Sequence, residues 1–237
     1  MAIFDRFIAY TWAERALEMA VKQEPSEPFQ NWLIGQGLGK ESARRTSNIL
    51  SHMWFKTAST NEPLLPDALG LFPSLNISDH LVLHWGMGIA HFSVFRETAQ
   101  VIGRLGLLQG EFTKEEIINR VLMKYSNQST IRRAIERTIQ TMYDWSVIQT
   151  TPQRKYRQSM TNTISSPALA EWFFRAIMIG LPEKYWLLHD LIGTMEVFPF
   201  SLESHASVLY TSPHMEIIRD PNGAEVVGKR DNKLKPA

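Results

Sequence analysis

Hydrophobic side chains recur about every four residues through the first part of the chain, which is the spacing of helices that bury one face. Phe4, Ile8 and Trp12 follow this spacing. They predict a helix over 2–22, which ends before the prolines that follow. Further helices are predicted at 29–37, 42–54 and 79–108.

The longest of these segments begins behind Ser78, whose hydroxyl is suited to cap a helix that starts at Asp79. Gly86 and Gly88 lie in the segment and lower its helix propensity. We therefore expect two helices that meet at a bend near these glycines.

The middle of the chain has the start and stop signals of two short helices. Thr113 and Glu116 form a capping-box sequence for the first helix. A turn at 126–128 separates it from the second, which Ser129 is expected to cap and which runs to about Tyr143. Two short helices joined by such a turn form a helix-turn-helix.

The second of these helices has one apolar and one charged side. The apolar side spans an arc of roughly 140° and consists of Ile131, Ala134, Ile135, Thr138, Ile139 and Met142. The opposite side carries Arg132, Arg133, Glu136, Arg137 and Gln140. Guanidinium groups bind phosphates and guanine edges bidentately, and glutamine pairs with adenine. We therefore predict that these five residues bind nucleic acid from the major groove.

A pair of strands is predicted directly after this helix in the sequence. The segment 146–150 has the composition of a strand, 151–155 that of a turn, and 156–164 that of the returning strand. The tip is basic and is expected to lie along phosphates through Arg154, Lys155 and Arg157. Trp145 is expected to fill a hydrophobic position beneath the helix.

In element order and spacing, residues 92–163 resemble a winged helix-turn-helix, in which the strand pair is the wing. The resemblance implies DNA binding, and it leaves open a protein–protein module, since winged helices serve as both. The expected fold class is mainly α: a helical N-terminal scaffold, a winged helix-turn-helix with a small β-wing, and a helical C-terminal extension that ends in a β-hairpin.

A second resemblance covers more of the chain. A helical N-terminal half contains the segment Glu41–Thr46, a long middle helix leads into the winged helix, and a short extension follows. This layout is similar to that of BrxA, a small DNA-binding accessory protein of bacterial BREX phage-defence systems. The resemblance implies a role in phage defence.

Two apolar helices and a hairpin are predicted after the wing in the sequence. Pro167 is placed to open the first helix, and 185–198 is expected to form the second. Alternating segments on either side of 220–223 predict the hairpin. Because both helices are strongly hydrophobic, they are expected to pack on the scaffold or on a partner, so a homodimer or larger assembly stays open.

The predicted organisation has three regions. Pro63 and Pro66 indicate a loop that separates an N-terminal helical region from the centre. The regions are 1–64, 65–166 with the central helix and the helix-turn-helix, and 167–237.

The composition is that of a globular protein, with 44% hydrophobic and 21% charged residues. The absence of cysteine excludes disulfides, thiolate zinc sites and cysteine nucleophiles. His84 and Arg175 interrupt the most apolar stretches, and the first residues lack a signal-peptide pattern. We expect a cytoplasmic protein without a membrane segment.

The net charge of +1 is unevenly distributed. Residues 111–160 contain nine basic and five acidic residues, which is a net charge of +4. A basic segment in a near-neutral chain favours a local anionic partner. Scattered solvated charge is the alternative.

The sequence does not indicate an enzyme or a cofactor. His80, His84 and His91 lie on one predicted helix, but their neighbours are core residues, so structural histidines are favoured over a metal site. Phosphate-loop, dinucleotide and hydrolase motifs are absent. We expect a bacterial non-catalytic protein that binds double-stranded DNA in a phage-defence or transcription-control system. The alternative is an assembly subunit of a larger defence, helicase or methyltransferase complex, with little DNA affinity of its own.

Overall fold

The computed structural model of the protein describes residues 3–56, 63–126, 128–159, 162–181 and 183–230. Within these ranges the chain is mainly helical and carries small sheets. The helices are α1 (Tyr10–Val21), α2 (Glu27–Gly35), α3 (Lys40–Trp54), α4 (Leu64–Leu71), α5 (His80–His91), α6 (Ser93–Gln109), α7 (Lys114–Leu122), α8 (Gln128–Asp144), α9 (Pro167–Gly180), α10 (Leu188–Ile192) and α11 (Val208–Thr211). Short 3₁₀ turns are at Phe72–Ser74, Ile77–Asp79, Met195–Val197 and Glu203–His205.

The strands of the described ranges are short and belong to separate sheets. They are β1 (Glu111–Phe112), β2 (Ile148–Thr150), β3 (Tyr156–Gln158), β4 (Asn162–Thr163), β5 (Tyr185–Leu187), β6 (Phe200–Ser201), β7 (Met215–Arg219) and β8 (Glu225–Lys229). One antiparallel sheet has the order β1-β3-β2, and another has the order β5-β8-β7. Strands β4 and β6 pair in parallel.

The apolar side predicted for the helix over 129–143 is confirmed. Its six members are all buried in α8, packed toward α6 and α7. The helix begins at Gln128, two residues before the start that a cap at Ser129 implies, so Ser129 lies inside the helix and is not its cap. The predicted turn at 126–128 includes Asn127, which lies outside the described residues.

The predicted helix over 2–22 begins only at Tyr10, because residues distant along the chain bind the backbone before it. The amide of Ile8 donates to Thr141 Oγ1 (2.9 Å), and the amide of Tyr10 donates to Asp144 Oδ2 (2.8 Å). The Trp145 indole N–H donates to the Ile8 carbonyl (3.0 Å). These bonds replace helical ones, and the segment from residue 3 to residue 9 is irregular.

The segment 79–108 forms two helices, as predicted, but they separate at Phe92 and not at the glycines. Phe92 has an extended backbone, with φ −128° and ψ 106°. Gly86 and Gly88 lie inside α5, where they admit the rings of Trp172 and Phe95. The cap expected from Ser78 is also wrong, because a 3₁₀ turn contains this residue and the N-cap is Asp79.

The loop predicted around Pro63 and Pro66 does not extend to Pro66. Helix α4 begins at Leu64 and includes Pro66 in its first turn, where a proline removes no helical hydrogen bond. The returning strand predicted over 156–164 ends at Gln158, and β4 joins a different sheet.

The start of α9 is as predicted. Pro167 occupies its first turn, and the Ser166 hydroxyl accepts a hydrogen bond from the Leu169 amide (3.2 Å). The helix packs against α5, with the indole of Trp172 buried between them and its N–H donated to the Leu64 carbonyl (2.8 Å).

The second apolar helix predicted behind the wing, over 185–198, is wrong. Its first residues form β5, which pairs with β8, and only 188–192 are α-helical. The hairpin around 220–223 is confirmed, since β7 and β8 pair on either side of it. Gly223 has a φ of +82°, and Asp220 Oδ1 accepts from the amides of Asn222 and Ala224.

One cluster of buried side chains extends through all three regions predicted from the sequence. It includes Phe4 near the N-terminus, Ile139 of α8 and Val227 of β8. The division into 1–64, 65–166 and 167–237 stays a prediction. No α-helix among the described residues has both the length and the apolar character that crossing a bilayer requires.

A partly buried carboxylate joins α1 to α5. Glu14 Oε2 lies 2.9 Å from His80 Nδ1, and Glu14 Oε1 lies 2.7 Å from His84 Nε2. The His84 ring is fully buried and touches the rings of Trp54 and Trp145. Within the described ranges, no group of three or more histidine, aspartate or glutamate side chains is arranged to hold a metal ion.

Burial and hydrogen bonding together set the ionisation of Glu14 and His84. Burial alone would raise the pKa of Glu14, but the hydrogen bonds from His84 and His80 outweigh it and lower that pKa to about 2. Burial lowers the pKa of His84, against the opposing charge of Glu14. The Nδ1 atom of His84 is buried without a hydrogen-bond partner, which fits a neutral ring that donates through Nε2.

We expect stability to fall as the pH decreases below about 6.5, because unfolded His84 then takes up a proton that the buried ring does not. This residue contributes at most about 1.4 kcal/mol per pH unit to the free energy of unfolding. Glu14 stays ionised in both states between about pH 6 and pH 7 and adds nothing to the slope there. Urea unfolding at several pH values measures the slope, and H84Q should reduce it. An equal slope in both proteins would contradict the neutral ring.

The close contact of α5 with α9 predicts that G86A is destabilising. A Cβ at this position would lie 2.5 Å from Trp172 Cζ3, and the indole is fully buried, so side chains of the core must shift to admit it. The free energy of unfolding should fall by about 1–3 kcal/mol, measured by urea unfolding. G70A is the matched control, since nothing lies within 4 Å of a Cβ there, and it should preserve or raise stability.

Candidate nucleic-acid interface

The charged side of α8 is open to solvent. We call it the arginine face: Arg132, Arg133, Glu136, Arg137 and Gln140. Arg133, Arg137 and Gln140 are exposed, and Arg132 and Glu136 are partly exposed. Because the whole apolar side of α8 is buried in the core, the opposite, charged side faces solvent.

Two cross-helix pairs connect the arginine face to the first turn of α7. Arg132 Nη1 lies 3.2 Å from Glu115 Oε2, and Lys114 Nζ lies 3.3 Å from Glu136 Oε1. The sequence prediction included neither Lys114 nor Glu115. The predicted helix-turn-helix could have indicated both residues, because this motif brings the start of the first helix against the first half of the second helix.

The capping box that begins α7 is present as predicted. Thr113 Oγ1 accepts from the Glu116 amide (3.2 Å), and the Thr113 amide donates to Glu116 Oε2 (2.7 Å). The Glu116 carboxylate accepts hydrogen bonds from the Thr113 amide, the Gln109 side chain and the Thr113 hydroxyl, and these bonds lower the pKa of Glu116. The box therefore fixes the first turn of α7, and with it the positions of the two residues that pair with α8.

The strand pair behind α8 ends in a tight turn. The Thr151 amide donates to the Lys155 carbonyl (2.8 Å), and the Arg154 amide donates to the Thr151 carbonyl (2.9 Å). Arg154 adopts a φ of +58°. We call Arg154, Lys155 and Arg157 the basic hairpin; all three are exposed.

The alternation of β3 directs Arg157 outward. The next residue, Gln158, points toward α6, where its amide donates to the carbonyls of Ile102 (3.0 Å) and Gly103 (3.2 Å). Arg157 is paired in register with Glu111 and Gln149, which are both exposed. Cross-strand partners share a face of the sheet, so the outer face is polar.

Tyr143 is an exposed aromatic residue that the prediction missed. It is 49% exposed at the end of α8. Burial raises the pKa of Tyr156 in β3, and Tyr143 adds to this rise, so the end of α8 lies near the hairpin strand. The helical period could have identified it, because Tyr143 falls about 20° from Arg132 on the helical wheel.

Trp145, by contrast, is buried as expected.

The positive charges of the arginine face and the basic hairpin are only partly neutralised. Arg133 and the three members of the basic hairpin form no ion pair with any other described residue. Arg137 donates to Gln140 Oε1 (2.9 Å), which leaves its charge uncompensated. An exposed set of guanidinium groups without carboxylate partners suits binding to phosphates.

The chain was compared with models of protein families, with curated proteins and with solved structures, and none of the three comparisons found a match.

Proposed function

We propose that residues 92–163 form a winged helix-turn-helix that binds double-stranded DNA. The order α6, β1, α7, α8, β2, β3 and the strand order β1-β3-β2 support this assignment. The observation that carries it is the arginine face, because it is solvent-exposed on the second helix of a helix-turn-helix.

In this proposal α8 enters the major groove, which is wide enough to hold an α-helix. Arg132, Arg133 and Arg137 bind phosphates or guanine edges, and Gln140 pairs with adenine. Glu136 is already paired with Lys114 and accepts from cytosine only if that pair opens.

The basic hairpin binds the sugar-phosphate backbone beside the groove. Arg154 and Lys155 lie at the turn and Arg157 on the outer strand face, so each side chain extends away from the protein. Contacts of this kind orient the protein on the duplex and are independent of base sequence. The protein acts without catalysis in a bacterial cytoplasm, and its similarity of layout to BrxA supports a phage-defence or transcription-control setting.

A second function, assembly into a larger complex, is favoured by one observation. Leu107 and Leu108 at the end of α6 are 72% and 70% exposed. Adjacent exposed leucines are typical of a surface that binds another protein. A stable partner together with negligible DNA affinity would favour this function.

We expect DNA binding to depend strongly on salt. With about four to six phosphate contacts, a plot of log affinity against log salt should have a slope of about −4 to −5. Fluorescence anisotropy with a labelled duplex between 50 and 200 mM NaCl measures it. If micromolar protein leaves the duplex free at 50 mM NaCl, the DNA-binding proposal is wrong.

The double variant R133A/R157A should weaken DNA binding about tenfold or more, because two phosphate contacts are lost, and the salt slope should become shallower by about 2. Its melting temperature should stay nearly unchanged, since neither side chain has an ion-pair partner among the described residues. R44A/R45A on α3 removes the same charge from another surface and serves as the control. Equal losses in both variants would indicate a nonspecific charge effect.

Replacing Glu115 should strengthen DNA binding. E115Q removes a carboxylate that repels phosphate and frees Arg132 from its pair. We expect affinity to rise several-fold at 50 mM NaCl and less at 200 mM, because salt screens exposed charges. The control is E41Q, which frees Arg44 and leaves Arg45 paired only with Asp5, away from the proposed interface. Unchanged or weaker binding by E115Q would place Glu115 and Arg132 outside the DNA contact.

A further inference from the structure

A second cationic site lies between α6 and the C-terminal end of α7. It is an open cleft of about 430 Å³. We call it the basic cleft, and its walls are formed by Gln100, Val101, Arg104, Arg120, Met123 and Lys124. The volume lies within the range of small-molecule sites, which is roughly 300–1,000 Å³.

Two arginines line this cleft, and none of its lining residues is a carboxylate. Arg104 of α6 and Arg120 of α7 are both exposed, and neither forms an ion pair or a side-chain hydrogen bond with another described residue. The charge of Arg120 contributes to lowering the pKa of Glu116, but the Glu116 carboxylate is already bound to Thr113 and Gln109. Both guanidinium groups therefore keep their donors for a ligand.

The third cation of the cleft is held in place. Lys124 Nζ donates to the Glu97 carboxylate and to Gln100 Oε1 (2.8 Å). The Gln100 amide donates in turn to Glu196 Oε1 (2.8 Å), and Glu196 is only 2% exposed. This chain of bonds from a buried carboxylate fixes one wall, which reduces the entropy lost when a ligand binds.

The remaining lining is apolar. Val101, which is 8% exposed, and Met123, which is 78% exposed, both line the cleft. A flexible thioether adapts to the shape of a planar or apolar group. The lining has three cations and no carboxylate, and only Lys124 is paired, with Glu97, so the cleft attracts an anion with an apolar body.

The basic cleft is separate from the proposed DNA surface. None of its lining residues belongs to α8 or to the hairpin. It lies at the end of α7 opposite Lys114 and Glu115, and the helix of 9 residues is about 13 Å long.

We propose that the basic cleft binds a small molecule that carries a phosphate group. Arg104 and Arg120 hold the phosphate through paired N–H donors, and Lys124 supplies the third positive charge. The organic part of the ligand packs on Met123 and Val101. This site is independent of the proposed DNA binding and does not require it.

The test uses the full chain with ¹³C-methyl methionine, so that the Met123 methyl signal reports on the cleft directly. The probes are adenosine monophosphate, inorganic phosphate and adenosine. We expect a saturable shift of the Met123 signal with adenosine monophosphate at or below millimolar concentration, a weaker effect with inorganic phosphate and none with adenosine. R104Q/R120Q should weaken the effect tenfold or more, and R44Q/R45Q should leave it unchanged.

Several outcomes would overturn the proposal: no saturable shift, an equal response to adenosine, or an unchanged response in an R104Q/R120Q protein whose circular dichroism is that of the wild type. A duplex DNA titration distinguishes the source of the phosphate. If duplex DNA shifts Met123 and adenosine monophosphate does not, the cleft binds the DNA backbone and the small-molecule assignment is wrong. If DNA binding fails altogether while adenosine monophosphate shifts Met123, this proposal stands and the proposed function does not.

Discussion

The burial of one complete side of α8 is the constraint on which the candidate interface depends. Ile135, Thr138 and Met142 are fully buried, so the helix cannot rotate without moving apolar groups into water or charged groups into the core. Either change costs several kilocalories per mole, which exceeds what exposed ion pairs contribute. The outward direction of Arg133 and Arg137 is therefore a consequence of core packing.

The far end of α8 is held by the N-terminal segment and by α5. Thr141 and Trp145 bind the backbone of Ile8, while His84 touches the Trp145 ring and bonds to Glu14. A buried polar cluster of this kind is favourable only when its partners are all in place. The packing of the N-terminal helices is thus coupled to the position of the helix that carries the proposed DNA contacts.

Sequence reasoning succeeded where a signal lies within a few residues of what it determines. The capping box of Thr113 and Glu116, the proline that starts α9 and the turn at 220–223 are local, and each is present. It failed where a distant segment competes for the backbone. Ile8 is bound by Thr141, and the strand at 185–187 is paired with β8, so in both places tertiary hydrogen bonds override a helical pattern.

The sequence by itself determined which segments form helices around the centre of the chain, and that α8 has a charged side, because helical period and side-chain polarity are properties of neighbouring residues. Only the tertiary structure decided that Glu115 neutralises Arg132, that Glu14 lies between two histidines, and that Arg104 and Arg120 share a cleft. Each of these contacts joins separate helices. Their distances depend on how the helices dock, which no local period encodes.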